Sequence, residues 1–289
     1  MDKGTLLIAC LVFLTIITAH SQDFDEKLMD AKLAIMDGNY ESGLNICNEL
    51  IATKNDDSTH LAEAFATAGL ACEGLKHTTD ALNYYSKAVE LNIPQLDIYD
   101  KLIGLSKNEK NDSIYEFALI EKLKAFPIFE ESITKNLNNH YAKIKDYEKL
   151  LTTSNKLISW YPSTTRYLFY KAVALQNVGQ IEESRTYYQK VLELEPEHPG
   201  ANMSIGLMLY NKGREIFSQK KKEYEAIAKP DRVDYAVYNR GIEEGKVFFR
   251  EASPYLIKAY ESGSYPDLKR VLFNLYVLSE EKEKAEPYR

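Results

Sequence analysis

The chain has 289 residues, 45% of them hydrophobic, and its 43 acidic side chains outnumber 36 basic ones to give a net charge of −7. That apolar content excludes intrinsic disorder, and the acidic balance argues against a nucleic-acid partner, because phosphate binding needs a basic stripe that releases counterions. Length alone allows one large domain or two small ones.

Residues 1–21 read as an address rather than as structure. Gly4 to Ala19 carries no charge and is rich in Leu, Ile, Val and Phe. Ala19-His20-Ser21 then places small residues where a signal peptidase reads, with Gln22 as the new N-terminus. The run falls short of the ~20 residues that span a bilayer comfortably, so a secretory signal peptide is preferred to an uncleaved anchor. Leu7-Ile8-Ala9-Cys10 matches a lipoprotein box only superficially, since most of the apolar stretch follows Cys10 instead of preceding it. The expected location is therefore periplasmic or extracellular. Cleavage leaves Cys47 and Cys72, which fall where helical patterning expects buried residues. An oxidising compartment permits a disulfide between them without requiring one.

Four prolines then set a rhythm: Pro94, Pro127, Pro162 and Pro196. Their spacing is about 34 residues, the period of a helix–turn–helix repeat that stacks on its neighbours. Tyr84-Tyr85-Ser86-Lys87-Ala88-Val89-Glu90-Leu91 recurs as Tyr187-Tyr188-Gln189-Lys190-Val191-Leu192-Glu193-Leu194. In chain order the units are 24–57, 62–94, 96–127, 131–162 and 165–196. The first turns at Gly38-Asn39-Tyr40, the third at the polar run Asn108 to Ser113, and the fourth at Lys145-Asp146-Tyr147.

Two units carry a recognisable pattern. Residues 62–94 hold Phe65, Ala68, Gly69 and Cys72, then Ala81, Tyr85 and Pro94; residues 165–196 hold Leu168, Lys171, Ala172 and Leu175, then Ser184, Tyr188 and Pro196. This resembles the tetratricopeptide repeat, whose small residues let the two helices of one hairpin approach closely. The resemblance implies an all-α, right-handed superhelical solenoid of about six to seven such hairpins. It resembles exported bacterial members with an extended hairpin near the C-terminus, a resemblance that implies the cell envelope as its home.

The sixth unit, 199–263, departs from the pattern. Gly213 stands where a turn is due, yet helical periodicity continues through Ile216, Phe217, Tyr224 and Ile227 to Pro230, and a second stripe runs from Tyr235 to Ala259. An insertion at about 214–248 that lengthens both helices explains this, and the resulting hairpin should project. Pro254 should kink its second helix. Residues 264–289 read as a capping segment with a charged tail.

No catalytic constellation, phosphate loop or metal-ligand spacing is present, so the expected function needs no cofactor and no metal. His60, His77, His140 and His198 read as turn or helix-end residues. The expected activity is binding: an adaptor or assembly factor that holds a protein or peptide on the groove formed by the first helices. Groove candidates are Lys135, Asn139, Arg166, Phe169, Gln176, Asn177, Met203, Leu207 and Tyr210. Lys135 and Asn139 resemble half of a carboxylate clamp, but Tyr170 and Ser204 stand where its other half belongs. Lys220, Lys221 and Lys222 form the basic cluster of the projecting hairpin, suited to an acidic partner or, peripherally, an anionic membrane. An exported carbohydrate- or small-ligand-binding protein is the alternative, since aromatic platforms also hold glycans.

Overall fold

The computed structural model describes residues 22–53 and 57–289. The signal-peptide reading of residues 1–21 and the Cys10 assignment lie outside them. Every element among the described residues is a helix or turn, and the chain separates into two compact units that meet in sequence at Ile144 and Lys145. That boundary falls at the turn of the hairpin expected over 131–162.

The first unit runs α1 (22–36), α2 (Tyr40–Ala52), α3 (Ser58–Gly74), α4 (Thr78–Glu90), α5 (Leu96–Asn108), α6 (Asp112–Ala125), a short 3₁₀ turn Pro127–Phe129, and α7 (Glu130–Ile144). The second holds α8 (Tyr147–Trp160), α9 (Thr165–Asn177), α10 (Ile181–Leu194), α11 (Pro199–Glu225), α12 (Arg232–Glu261), α13 (Leu268–Leu278) and α14 (Lys282–Ala285), ending in a 3₁₀ turn Glu286–Tyr288. Within each unit successive helices pack on one another, as in a helical-repeat solenoid.

The period is written in the backbone. Gly38, Lys76, Lys110, Lys145 and Gly179 all take positive φ, between 56° and 85°, and the last four follow one another at the spacing of the prolines. Each left-handed residue closes a helix, because the chain must reverse while the last carbonyls keep donors. At Lys76, for example, its own N–H bonds the Glu73 carbonyl at 3.0 Å and the next N–H, of His77, bonds the Cys72 carbonyl at 2.8 Å. The same pair of bonds recurs at Gly38, Lys110 and Gly179. Asp57, Asn111 and Asp146 then cap α3, α6 and α8 with their side chains, relieving N–H groups that have no intrahelical partner.

Packing repeats in the same register. In the first unit the Tyr85 hydroxyl donates to Glu73 Oε2 at 2.5 Å, and Lys101 Nζ donates to the same oxygen at 3.0 Å, so α3, α4 and α5 share one polar junction. In the second, the Tyr188 hydroxyl donates to Gln176 Oε1 at 2.7 Å and also hydrogen-bonds Ser204, joining α9, α10 and α11. Each of the three residues is displaced from its counterpart by the same number of positions. The Tyr85 ring fits because residue 69 is glycine: a Cβ there would lie 2.5 Å from the ring.

The register breaks at Gly213, one period after Gly179. It takes a helical conformation, and α11 runs through it for 27 residues, about 40 Å at 1.5 Å per residue. A Cβ on Gly213 would meet the Gly245 carbonyl at 2.9 Å and Phe249 at 2.7 Å; one on Gly245 would meet Phe217 at 2.5 Å. The turn position of the other repeats has thus become the close crossing of a long hairpin. Its second helix, α12, is continuous for 30 residues with Pro254 inside it. Lys246, almost wholly buried on α12, bonds Glu243 and Glu280 at 2.8 Å each and so ties the hairpin to the turn after α13.

Candidate partner-binding surfaces

The candidates on the first helices meet different fates. Phe169 is half-buried beneath α11, its ring 4.7 Å from His198 and 5.8 Å from Tyr188, and it fills the space that Gly200 leaves open. Gln176 is the acceptor for Tyr188, and Asn177 donates to the Val173 carbonyl at 2.8 Å. Tyr210 is buried with its ring 5.7 Å from Phe249, which corrects its expected exposure. Met203 and Leu207 are half-buried against the core, while Arg166 and Asn177 stay exposed. In the first unit Lys135 Nζ pairs with Glu131 at 2.6 Å and Asn139 is exposed. Ser204 is buried, so the incomplete clamp cannot be completed from that position.

Of the histidines, His140 departs from the expected turn or helix-end position. His198 caps α11, its Nδ1 accepting from the Ala201 N–H at 3.2 Å, and His77 precedes α4. His140, by contrast, is buried within α7 beside Tyr115 and Tyr141. Cys47 and Cys72 are buried free thiols.

An open cleft of about 850 Å³ lies instead on the second-helix side, between α10 and α12 with α11 at its base. Leu192, Pro196 and Tyr255 supply its apolar lining; Arg185, Glu251 and Lys258 supply charge. Pro254 sits at the rim and is exposed. Having no N–H, it leaves the Arg250 carbonyl without its usual intrahelical donor. The cleft therefore joins an apolar wall to charges of both signs, a combination suited to an extended peptide.

The sequence of α9 and α10 carries a family match. Residues 165–198 match the tetratricopeptide repeat. The chain carries a tetratricopeptide repeat. No curated protein matches it. Among solved structures it is similar to a candidate protein-binding protein from Bacteroides ovatus, with 18% identity over 76% of this chain and 98% of that one, TM-score 0.48. It is also similar to PilF of Pseudomonas aeruginosa, with 16% identity over 80% of this chain and 90% of that one, TM-score 0.44. A third is YrrB, described as a TPR protein with an unusual peptide-binding site: 15% identity, 65% and 95% coverage, TM-score 0.37.

The sequence points to a surface on the first helices, and the cleft lies apart from it. Its residues sit on the outward stripes of two amphipathic helices that are not consecutive in the chain, and only the α11–α12 hairpin brings those stripes together. Pro254 was the available signal: a proline inside a helix marks backbone left open to another donor. At the far end of the long hairpin, Lys220 pairs with Glu223 at 2.7 Å and Lys221 with Glu225 at 3.7 Å, whereas Lys222 is exposed without an ion pair among the described residues. No group of three His, Cys, Asp or Glu suited to a metal ion, and no helix long and apolar enough to cross a membrane, occurs among the described residues.

Proposed function

We propose that the chain is a non-catalytic scaffold that holds a protein or peptide partner, and that it works in the cell envelope after export. The observation that carries the reading is the open cleft between α10 and α12, built directly on the tetratricopeptide repeat. An extended segment lying there would place apolar side chains on Leu192 and Tyr255 and its charged groups on Arg185 and Lys258. Affinity in such sites concentrates in a few anchors, and Tyr255 is the aromatic among the lining residues.

A photo-crosslinking residue placed at Gln189, on the cleft rim, and separately at Arg166, on the first-helix face, tests this in native cells. Adducts to one protein from Gln189 alone support the cleft. Adducts from Arg166 alone move the site to the first helices. Absence of protein adducts from both sinks the scaffold reading and favours a glycan ligand, for which thermal shift is the direct assay. Export is tested separately: N-terminal sequencing of the native protein should begin at Gln22, and a chain retaining Met1 would overturn it.

A further inference from the structure

The end of the long hairpin is apolar where a soluble loop would be polar. Val233 is 68% exposed, Tyr235 and Val237 54% each, and Ile227 37%. Tyr224 and Tyr238 stack on one another at 4.9 Å just behind them. Ile227 lies in the turn after α11 and the other three exposed side chains in the first two turns of α12, each of them open among the described residues.

Its charge is arranged in one direction. Between Lys220 and Arg240 there are six basic and four acidic residues, so the tip is positive on a chain whose net charge is −7. The acidic groups are also the ones already engaged. Asp231 and Asp234 form a capping box: Asp231 Oδ1 accepts from the Val233 and Asp234 N–H groups, and Asp234 Oδ2 accepts from the Asp231 N–H at 2.9 Å. Glu223 and Glu225 pair with Lys220 and Lys221. Lys222, Lys229 and Arg232 are exposed and without ion pairs among the described residues. The excess positive charge therefore faces outward beside the aliphatic residues.

We infer that this tip is a membrane-contact element that rests on an anionic bilayer surface. The three parts have separate roles. Aliphatic side chains enter the headgroup–acyl boundary, tyrosines sit at the interface where one edge is apolar and the other wet, and unpaired Lys and Arg meet the negative surface potential. A protein partner would satisfy the apolar residues equally well, but the outward basic excess on an acidic chain favours a lipid surface. The contact is independent of the cleft, which is lined by other residues of α11 and α12.

Vesicle flotation with the chain from residue 22 onward tests it; that length retains the core clusters found among the described residues, and leaves out the apolar run of Gly4 to Ala19 so that the tip is read by itself. The protein should float with phosphatidylcholine vesicles containing a quarter phosphatidylglycerol, and should not float with phosphatidylcholine alone. K222E/K229E/R232E should weaken partition by at least about tenfold, as should rising salt. V233S/Y235S/V237S should lose most of the remainder with helical content unchanged. Equal binding to neutral vesicles, no binding to anionic ones, or wild-type flotation by both variants would overturn the inference. So would tip-directed crosslinking to a protein under conditions where anionic vesicles fail to bind.

Discussion

At the residue scale the repeat rests on a few side chains whose neighbours leave no slack. Tyr85 is fully buried against Gly69, so Gly69→Val must displace a ring locked between two helices. We expect a loss of about 1–3 kcal/mol, measured as a fall in the urea midpoint. The two cysteines predict a pH effect. Burial pushes the Cys47 thiol up from 9.0 to about 12 and the Cys72 thiol to about 11. Both thiols are protonated in the native state and ionise near 9 once unfolded. Their contribution is therefore intact below pH 9 and is lost as pH climbs through about 11 and then about 12. Native protein should resist thiol labelling at pH 8.5, and C47A/C72A should show a shallower fall in stability between pH 9 and 11 than the parent. Parallel slopes would refute the assignment.

At the scale of elements, the repeat period is enforced by a left-handed residue at each turn, and lysine is a costly choice there. An L-residue pays about 1 kcal/mol in that conformation, partly offset by the greater entropy that glycine loses on folding. Lys110→Gly should therefore raise stability by about 0.5 kcal/mol, whereas Lys107→Gly, one turn earlier inside α5, should cost about 1 kcal/mol. Equal effects at both positions would show that φ at Lys110 is not strained. The hairpin of α11 and α12 follows from the reverse substitution of roles: a glycine at the turn position allows helix crossing when the following sequence stays helical. The expected length was legible from periodicity alone, because Ile216, Phe217 and Tyr224 continue the apolar stripe. The crossing at Gly213 and Gly245 was not, since the two glycines lie on different helices, on opposite sides of the connecting turn.

At the scale of the molecule, core clusters of the described residues can be followed within each unit. One cluster, from Leu168 to Ala285, lies wholly after Lys145, and the clusters containing Tyr85, Leu50 and Cys47 lie wholly before Ile144. Repeat arrays gain stability mainly from neighbouring repeats, so residues 145–289 expressed alone should fold. Circular dichroism should show a helical spectrum and a cooperative thermal transition. A non-cooperative melt would mean that this unit depends on the first.

The sequence by itself determined the helical class, the repeat period and the small-residue contacts, because those depend on spacings within a single hairpin. It also marked the apolar N-terminal segment and the long final hairpin. Only the tertiary structure decided which of these side chains are buried and which line a cleft. Phe169, Gln176 and Tyr210 have the composition of a binding groove, yet neighbouring helices use them for packing and hydrogen bonding. Arg185, Tyr255 and Lys258 look like ordinary surface residues until α11 and α12 fold back and set them around one cleft. Periodicity reports which side of a helix is apolar; it does not report which neighbour covers that side, because that depends on contacts between residues far apart in the chain.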